Sequence, residues 1–166
     1  MRLIERILEN EYVRLEPLEG IHRERLRRQQ VPTRKSGHCS ILFGQVCRTH
    51  IVYQTEAANR CVDIGSTYYR PEFRGGVVNP AANHLLLGHA FASGANHVQF
   101  GVDALNVRSR AAMRRLGATE EVVLRRARIA RTGRVYDRVI FSVLSDEWPR
   151  VKANLEEQLA HRSRVK

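Results

Sequence analysis

Hydrophobic and polar positions along the chain predict an alternation of strands and helices. Tyr12-Val13-Arg14-Leu15-Glu16 alternates with period two, which predicts a strand ended by Pro17. Residues 2–9 are weakly amphipathic and suit a short strand or an arm, and the charged stretch 19–30, with Ile21 and Leu26 as anchors, suits a short surface helix. Residues 31–37 contain Pro32 and Gly37 and read as a loop. Ser40 to Val46 and Arg48 to Tyr53 are strand-like, as one strand bent near Gly44, and residues 56–60 form a hairpin turn into a strand over 62–69. Ala82, Leu85, Leu86, His89 and Ala90 share one helical face, so a helix runs from Asn79 to about Ser93, with Gly94 at its C-terminal cap. His97 to Val102 alternates as a strand, 103–107 is a loop, and 108–116 is a helix stopped by Gly117. Residues 121–130 and 135–144 flank Arg131-Thr132-Gly133-Arg134 as a long hairpin. Ser145-Asp146 precede a terminal helix whose Val151, Leu155 and Leu159 recur at four-residue spacing, with Trp148 as its anchor and Pro149 at its start. This order predicts a mixed α/β sheet with packed helices, in which the strand-helix-strand unit makes a right-handed parallel crossover.

The most informative stretch is Arg74-Gly75-Gly76-Val77-Val78-Asn79-Pro80, between the strand ending at Tyr69 and the first long helix. Two glycines allow a tight turn and close backbone approach. Asn79 is a good N-cap type, and Pro80 suits the first helical position. Strand, glycine turn and helix aim unpaired N–H groups and a positive dipole end at an anion, typically a phosphate. The same residues also serve a plain connection in which glycine answers only a steric need.

Composition narrows the class. A chain of 166 residues with 43% hydrophobic content predicts one domain over 1–166 with a real core. No apolar run reaches transmembrane length, and charges at Arg2, Glu5 and Arg6 argue against a secretory signal. Cys39, Cys47 and Cys61 form no C-x-x-C pair, which suits a reducing cytoplasm and no disulfide framework. His38-Cys39 with Cys47 and His50 match no common metal spacing, so no metal is expected. The net charge of +11 comes mostly from arginines spread along the chain, without interleaved aromatics. It predicts a generally basic surface, compatible with a polyanionic cofactor at its mouth, rather than a nucleic-acid or membrane partner.

The second half of the chain then resembles a known family. Ile64-Gly65-Ser66-Thr67-Tyr68, Arg74-Gly75 with Val78-Asn79, Leu85-Leu86-Leu87 with His89-Ala90-Phe91, Asn106 with Ser109-Arg110, Leu116-Gly117-Ala118, Gly133 with Asp137, and Phe141-Ser142 with Glu147-Trp148-Pro149 fall in one order and spacing. Together they resemble the GNAT superfamily of acyl-CoA-dependent N-acetyltransferases, nearest its ribosomal-protein-alanine acetyltransferase-like branch. The resemblance covers residues 61–152, and residues 11–18 more thinly. It implies an α/β (mixed α+β) fold: a central, mostly antiparallel twisted sheet with one splayed parallel strand pair and helices on both faces. It implies acetyl-CoA as co-substrate, its pantetheine arm along Ser66, Thr67, Tyr68 and Tyr69 like an added strand. Its pyrophosphate would rest on Arg74, Gly75, Gly76, Val77, Val78 and Asn79, with Asn106, Ser109 and Arg110 closing the other side and Arg108 as a further phosphate partner. The reaction implied is direct attack of a primary amine, on a protein N-terminus or a small molecule. Ser109, or else Tyr68 or Tyr69, is the candidate proton donor, and Asp103, Glu72 and Asp137 are candidate bases.

Two departures from the family pattern stand out. Val77 occupies the position where the family carries a second glycine, and a β-branched residue is unfavourable there if the turn needs positive φ. About 22 residues separate Leu18 from Ile41, so the first-half wall of the amine groove is shortened. A homodimer that completes this wall, or a CoA-binding scaffold without turnover, is the corresponding alternative.

Overall fold

The computed structural model of the protein describes residues 7–15, 48–56, 58–69, 71–130 and 132–163. The helix expected over 19–30, the loop over 31–37 and the strand over 40–46 lie outside the described residues, as do the side chains of Ser66, Tyr68 and Glu72.

Asn10 builds the first feature. Its side-chain oxygen accepts from the N–H groups of Tyr12 and Val13 at 3.0 and 2.9 Å. This turn joins β1 (Leu8–Glu9) to β2 (Arg14–Leu15) as an antiparallel ribbon, and Leu8, Val13 and Leu15 enter the core. The main sheet holds β3 (Arg48–Glu56), β4 (Cys61–Tyr69), β5 (His97–Asp103), β6 (Thr119–Ile129) and β7 (Val135–Leu144). Among the described residues its spatial order is β3-β4-β5-β7-β6, in which only β4 and β5 run parallel.

Three helices complete the described fold: α1 (Val78–Ala92), α2 (Val107–Leu116) and α3 (Trp148–Ser163). Alternation along β5 buries Val98, Phe100 and Val102 opposite Val143, Phe141 and Val139 of β7. These side chains meet Leu86, Leu87 and Ala90 of α1 and Val151, Leu155 and Leu159 of α3 in one hydrophobic cluster. Each fully buried large side chain there contributes roughly 1.5–3 kcal/mol. Trp148 lies against Phe91, with ring centroids 5.5 Å apart, and locks the start of α3 onto α1. Among the described residues no helix is long and apolar enough to cross a membrane.

The parallel crossover, the long hairpin and the three helices follow the sequence pattern. The expected helix starts do not hold. Asn79 is not the N-cap of α1: the helix begins at Val78 and Val77 takes the cap position without a side-chain cap bond. The oxygen of Asn79 is instead claimed by the Tyr69 hydroxyl at 3.0 Å and by Nδ2 of Asn83 at 3.1 Å. Pro80 falls at the third helical position rather than the first, where its missing N–H still costs no intrahelical bond. Similarly, Trp148 rather than Pro149 opens α3.

Candidate functional site

β4 and β5 are paired for only four residues, Cys61–Ile64 against His97–Phe100. Beyond that point each strand keeps its outer neighbour and loses the other. β4 stays on β3 as far as Tyr69, and β5 stays on β7 as far as Asp103. The two strands therefore open into a wedge. A β-bulge sits where they part: Gly65 pairs with Ile51 and Tyr68 with Thr49, so Ser66 and Thr67 share one opposing residue, His50. Such a bulge bends its strand and interrupts the regular ladder.

A cavity of about 540 Å³ fills the space beyond the wedge. Thr67 and Tyr69 line it from β4, Phe100 from β5, and Asn106 and Ser109 from the start of α2. The turn Arg74-Gly75-Gly76 and Asn79 line the remaining side. Gly75 has φ +78°, the left-handed region that favours glycine, and a Cβ added at Gly75 or Gly76 would meet open space. Val77 has φ −70° and ψ −20°, ordinary right-handed helical geometry. The turn's demand for glycine thus falls on Gly75, and the β-branched side chain at Val77 carries no backbone strain.

The cradle is tied together from both sides. The Arg74 guanidinium donates through Nε to the carbonyl of Tyr69 at 2.9 Å, and the Tyr69 hydroxyl donates to Asn79. These bonds fasten the end of β4 to the start of α1, where the N–H groups of Val78 and Asn79 lack helical acceptors. On the facing wall, Asn106 caps α2 by accepting from the Ser109 N–H at 3.0 Å, and Gly117 ends the helix at φ +92°. The amide of Asn154 donates to the carbonyls of Arg115 and Leu116, and that of Gln158 to Arg115, at 2.8, 3.1 and 3.0 Å. Helix α3 thereby satisfies the exposed C-terminal carbonyls of α2 and fixes the wall that carries Ser109.

The structure brings Thr67, Tyr69, Arg74, Gly75, Gly76, Asn79, Asn106 and Ser109 to one cavity. Val77 and Val78 are half-buried beside it and do not line it. Three other candidates, Arg110, Asp103 and Asp137, are placed elsewhere. Arg110 donates to the Glu120 carboxylate at 3.3 Å and to the Ala104 carbonyl at 3.4 Å, so its guanidinium is directed away from the cavity. Arg108, two residues earlier and on another helical face, lines the cavity instead. Asp103 is held by Arg134 and by the Leu105 N–H, the latter at 3.0 Å. Burial pulls its carboxyl upward, but the Arg134 hydrogen bond, the Leu105 N–H and the Arg134 charge outweigh this and hold it below its ordinary range. A carboxylate so held, outside the cavity lining, is a poor general base. Asp137 serves the backbone, accepting from the Arg126 N–H at 2.7 Å.

Asn83, Arg115 and Gln158 line the cavity without having been expected from the sequence. Asn83 carried a signal: it is a polar residue on an apolar helical face, 2% exposed, with Nδ2 bonded to the Asn79 carbonyl at 3.0 Å. Arg115 and Gln158 carried none, because only the packing of α3 on α2 brings them to the site.

Comparison with known proteins gives this geometry a context. Protein-family models and curated protein sequences yield no match. Solved structures match well. A protein from T. thermophilus, named for an expected acetyltransferase activity, is 33% identical, with 96% of this chain and 100% of that one covered and a TM-score of 0.83. A GCN5-related N-acetyltransferase from Brucella melitensis shares the fold at 22% identity, over 94% and 86% of the two chains, with a TM-score of 0.78. RimJ of Mycobacterium smegmatis, solved with CoA-disulfide, shares it at 24% identity, over 89% and 77%, with a TM-score of 0.65. The chain therefore shares its architecture with solved acetyltransferases, and it belongs to the GNAT superfamily of acetyltransferases.

Proposed function

We propose that the protein transfers the acetyl group of acetyl-CoA to a primary amine, by direct attack, on a protein N-terminus or a small molecule. Membership of the acetyltransferase superfamily supports the reaction class. One observation carries the reading for this chain: the wedge between β4 and β5 and the Gly75 turn open into the same cavity. A long ligand with an anionic middle and a thioester at one end fits such a shape.

In this reading the backbone of Ser66 to Tyr69 holds the pantetheine arm in place of the lost strand partner. The pyrophosphate meets the Arg74–Asn79 turn and the start of α1, where N–H groups and dipole favour negative charge. Arg108 and Arg115 on the rim supply cationic partners for the remaining phosphate. The thioester supplies the activated acetyl group. The neutral amine forms a bond to its carbonyl carbon, the C–S bond breaks, the nitrogen gives up its extra proton to solvent water, and the thiolate takes up a proton. Ser109 is the proposed donor of that proton, because it lines the cavity while its own N–H is fixed by Asn106. The Tyr69 hydroxyl is already committed to Asn79 and leaves this role to Ser109 or Tyr68.

Release of free thiol from acetyl-CoA, followed across a panel of primary amines and N-terminal peptides, tests the proposal. Amine-dependent release supports it. Cofactor binding with no release on any amine favours a CoA-binding scaffold and overturns the catalytic reading.

A further inference from the structure

We infer that the free edge of β6 is a self-recognition surface, through which two copies of this chain pair antiparallel about Val123 and join their sheets. Strand β6 lies last in the order β3-β4-β5-β7-β6, and among the described residues β7 is its one partner. All eleven of its residues are exposed, including Val122, Val123 and Leu124 at 48%, 46% and 42%. An exposed edge with this much apolar surface offers both a row of backbone groups and a reason to cover them.

The register with β7 shows which part of the edge can pair. Irregularities fall between Glu120 and Val122 and between Leu124 and Arg128. Between them, Val122, Val123 and Leu124 sit in plain register with Ile140, Val139 and Arg138. The regular segment is thus the apolar one, and the bulges flank it rather than break it.

The charges around this segment identify the occupant. The sequence reads Glu120-Glu121-Val122-Val123-Leu124-Arg125-Arg126, acidic before the apolar centre and basic after it. In an antiparallel pair about a two-fold axis at Val123, Val123 faces its copy and Val122 faces Leu124. Glu121 faces Arg125 twice, once on each side of the axis. A parallel pair would set acid on acid and arginine on arginine instead. Glu120 is already bound by Arg110 and Arg114, at 3.3 and 2.8 Å, so the Glu121–Arg125 pairs carry the charge matching. Glu121 is itself held at the strand by the Ser142 hydroxyl, which donates to its carboxylate. An unrelated partner would not require the strand to be complementary to itself. A second copy does, and the contact it makes is isologous and closed.

Sedimentation velocity on the full chain, over concentrations up to about 0.1 mM, tests the inference with three variants whose folding is checked by circular dichroism. Val123→Lys places two ammonium groups face to face at the axis and weakens dimerisation by tenfold or more. Glu121→Arg and Arg125→Glu each leave the chain monomeric alone. Mixed in equal amounts they form a heterodimer, and the double variant dimerises with itself. A wild-type chain that stays monomeric throughout overturns the inference, as does a dimer indifferent to Val123→Lys. If Glu121→Arg does not fold, the axis variant alone decides the matter.

Discussion

Arg138 on β7 reaches across β5 to meet Asp63 on β4 at 2.9 Å, over Gly101. The pair is nearly buried, with side chains 16% and 9% exposed, and it ties together the two neighbours of β5. It also lies beside the last paired residues of the wedge, since Asp63 is opposite Gln99 in the parallel register. A side chain at Gly101 would come within 1.8 Å of the guanidinium. Gly101→Ala must therefore displace Arg138 and leave Asp63 buried without its counter-charge, at a cost of about 3 kcal/mol. Urea denaturation measures it. Arg138→Met should cost a similar amount, and the two together little more than either alone, because both remove one interaction. Full additivity would show that the pair is not what Gly101 protects.

A second ion pair predicts a pH effect. Asp103 is bound by Arg134 and its carboxyl is held below the ordinary value of 3.8. A group lowered in the folded state contributes stability above its unfolded value and loses it as pH falls through the folded one. Asp103→Asn should therefore cost about 0.5–1 kcal/mol at neutral pH, since the pair is partly exposed. The gap between variant and wild type should close as the pH falls below 3.8. Thermal unfolding at several pH values measures both. A gap that persists in acid would assign the effect to packing.

Arg126 has φ +49°, an uncommon conformation for a residue with a side chain. It lies in the second bulge of β6, where its N–H is accepted by Asp137. Arg126→Gly should relieve this strain and stabilise the hairpin by up to about 1 kcal/mol, whereas Arg126→Val should destabilise it by at least as much. Denaturation midpoints of the two variants should move in opposite directions.

The fold was legible where one side of an element is buried. Alternation in β5 and four-residue spacing in α3 predict their inward faces directly, because burial of apolar surface selects them. The cradle was legible as a strand, a glycine turn and a helix. What the chain pattern could not reveal depends on who reaches a group first. Asn79 has the side chain and the neighbouring proline of an N-cap, but the Tyr69 hydroxyl claims its oxygen. Arg108 and Arg110 offer the same chemistry in the sequence, and only the position of Glu120 draws Arg110 away. Asp63 and Arg138 are far apart in the chain and meet only once three strands are in register.

Ser109 is placed at the wall of the cavity with its N–H, but not its hydroxyl, used by the Asn106 cap. If the hydroxyl protonates the leaving thiolate, Ser109→Ala should lower kcat by roughly 10²-fold and leave KM nearly unchanged. Steady-state kinetics at saturating amine reads this split. An unchanged kcat would reduce Ser109 to a packing residue.

The central claim is that the Gly75 turn and the β4–β5 wedge form one acetyl-CoA site. Isothermal titration with acetyl-CoA and with CoA tests it most directly, on the wild type and on Gly75→Val. A Cβ at this position has open space around it, yet the variant forces a β-branched residue into φ +78° and so disturbs the turn. Micromolar binding of both ligands by the wild type, weakened about tenfold or more in the variant, is the predicted result. No heat of binding by the wild type at high micromolar ligand, or equal affinity in Gly75→Val, would contradict it.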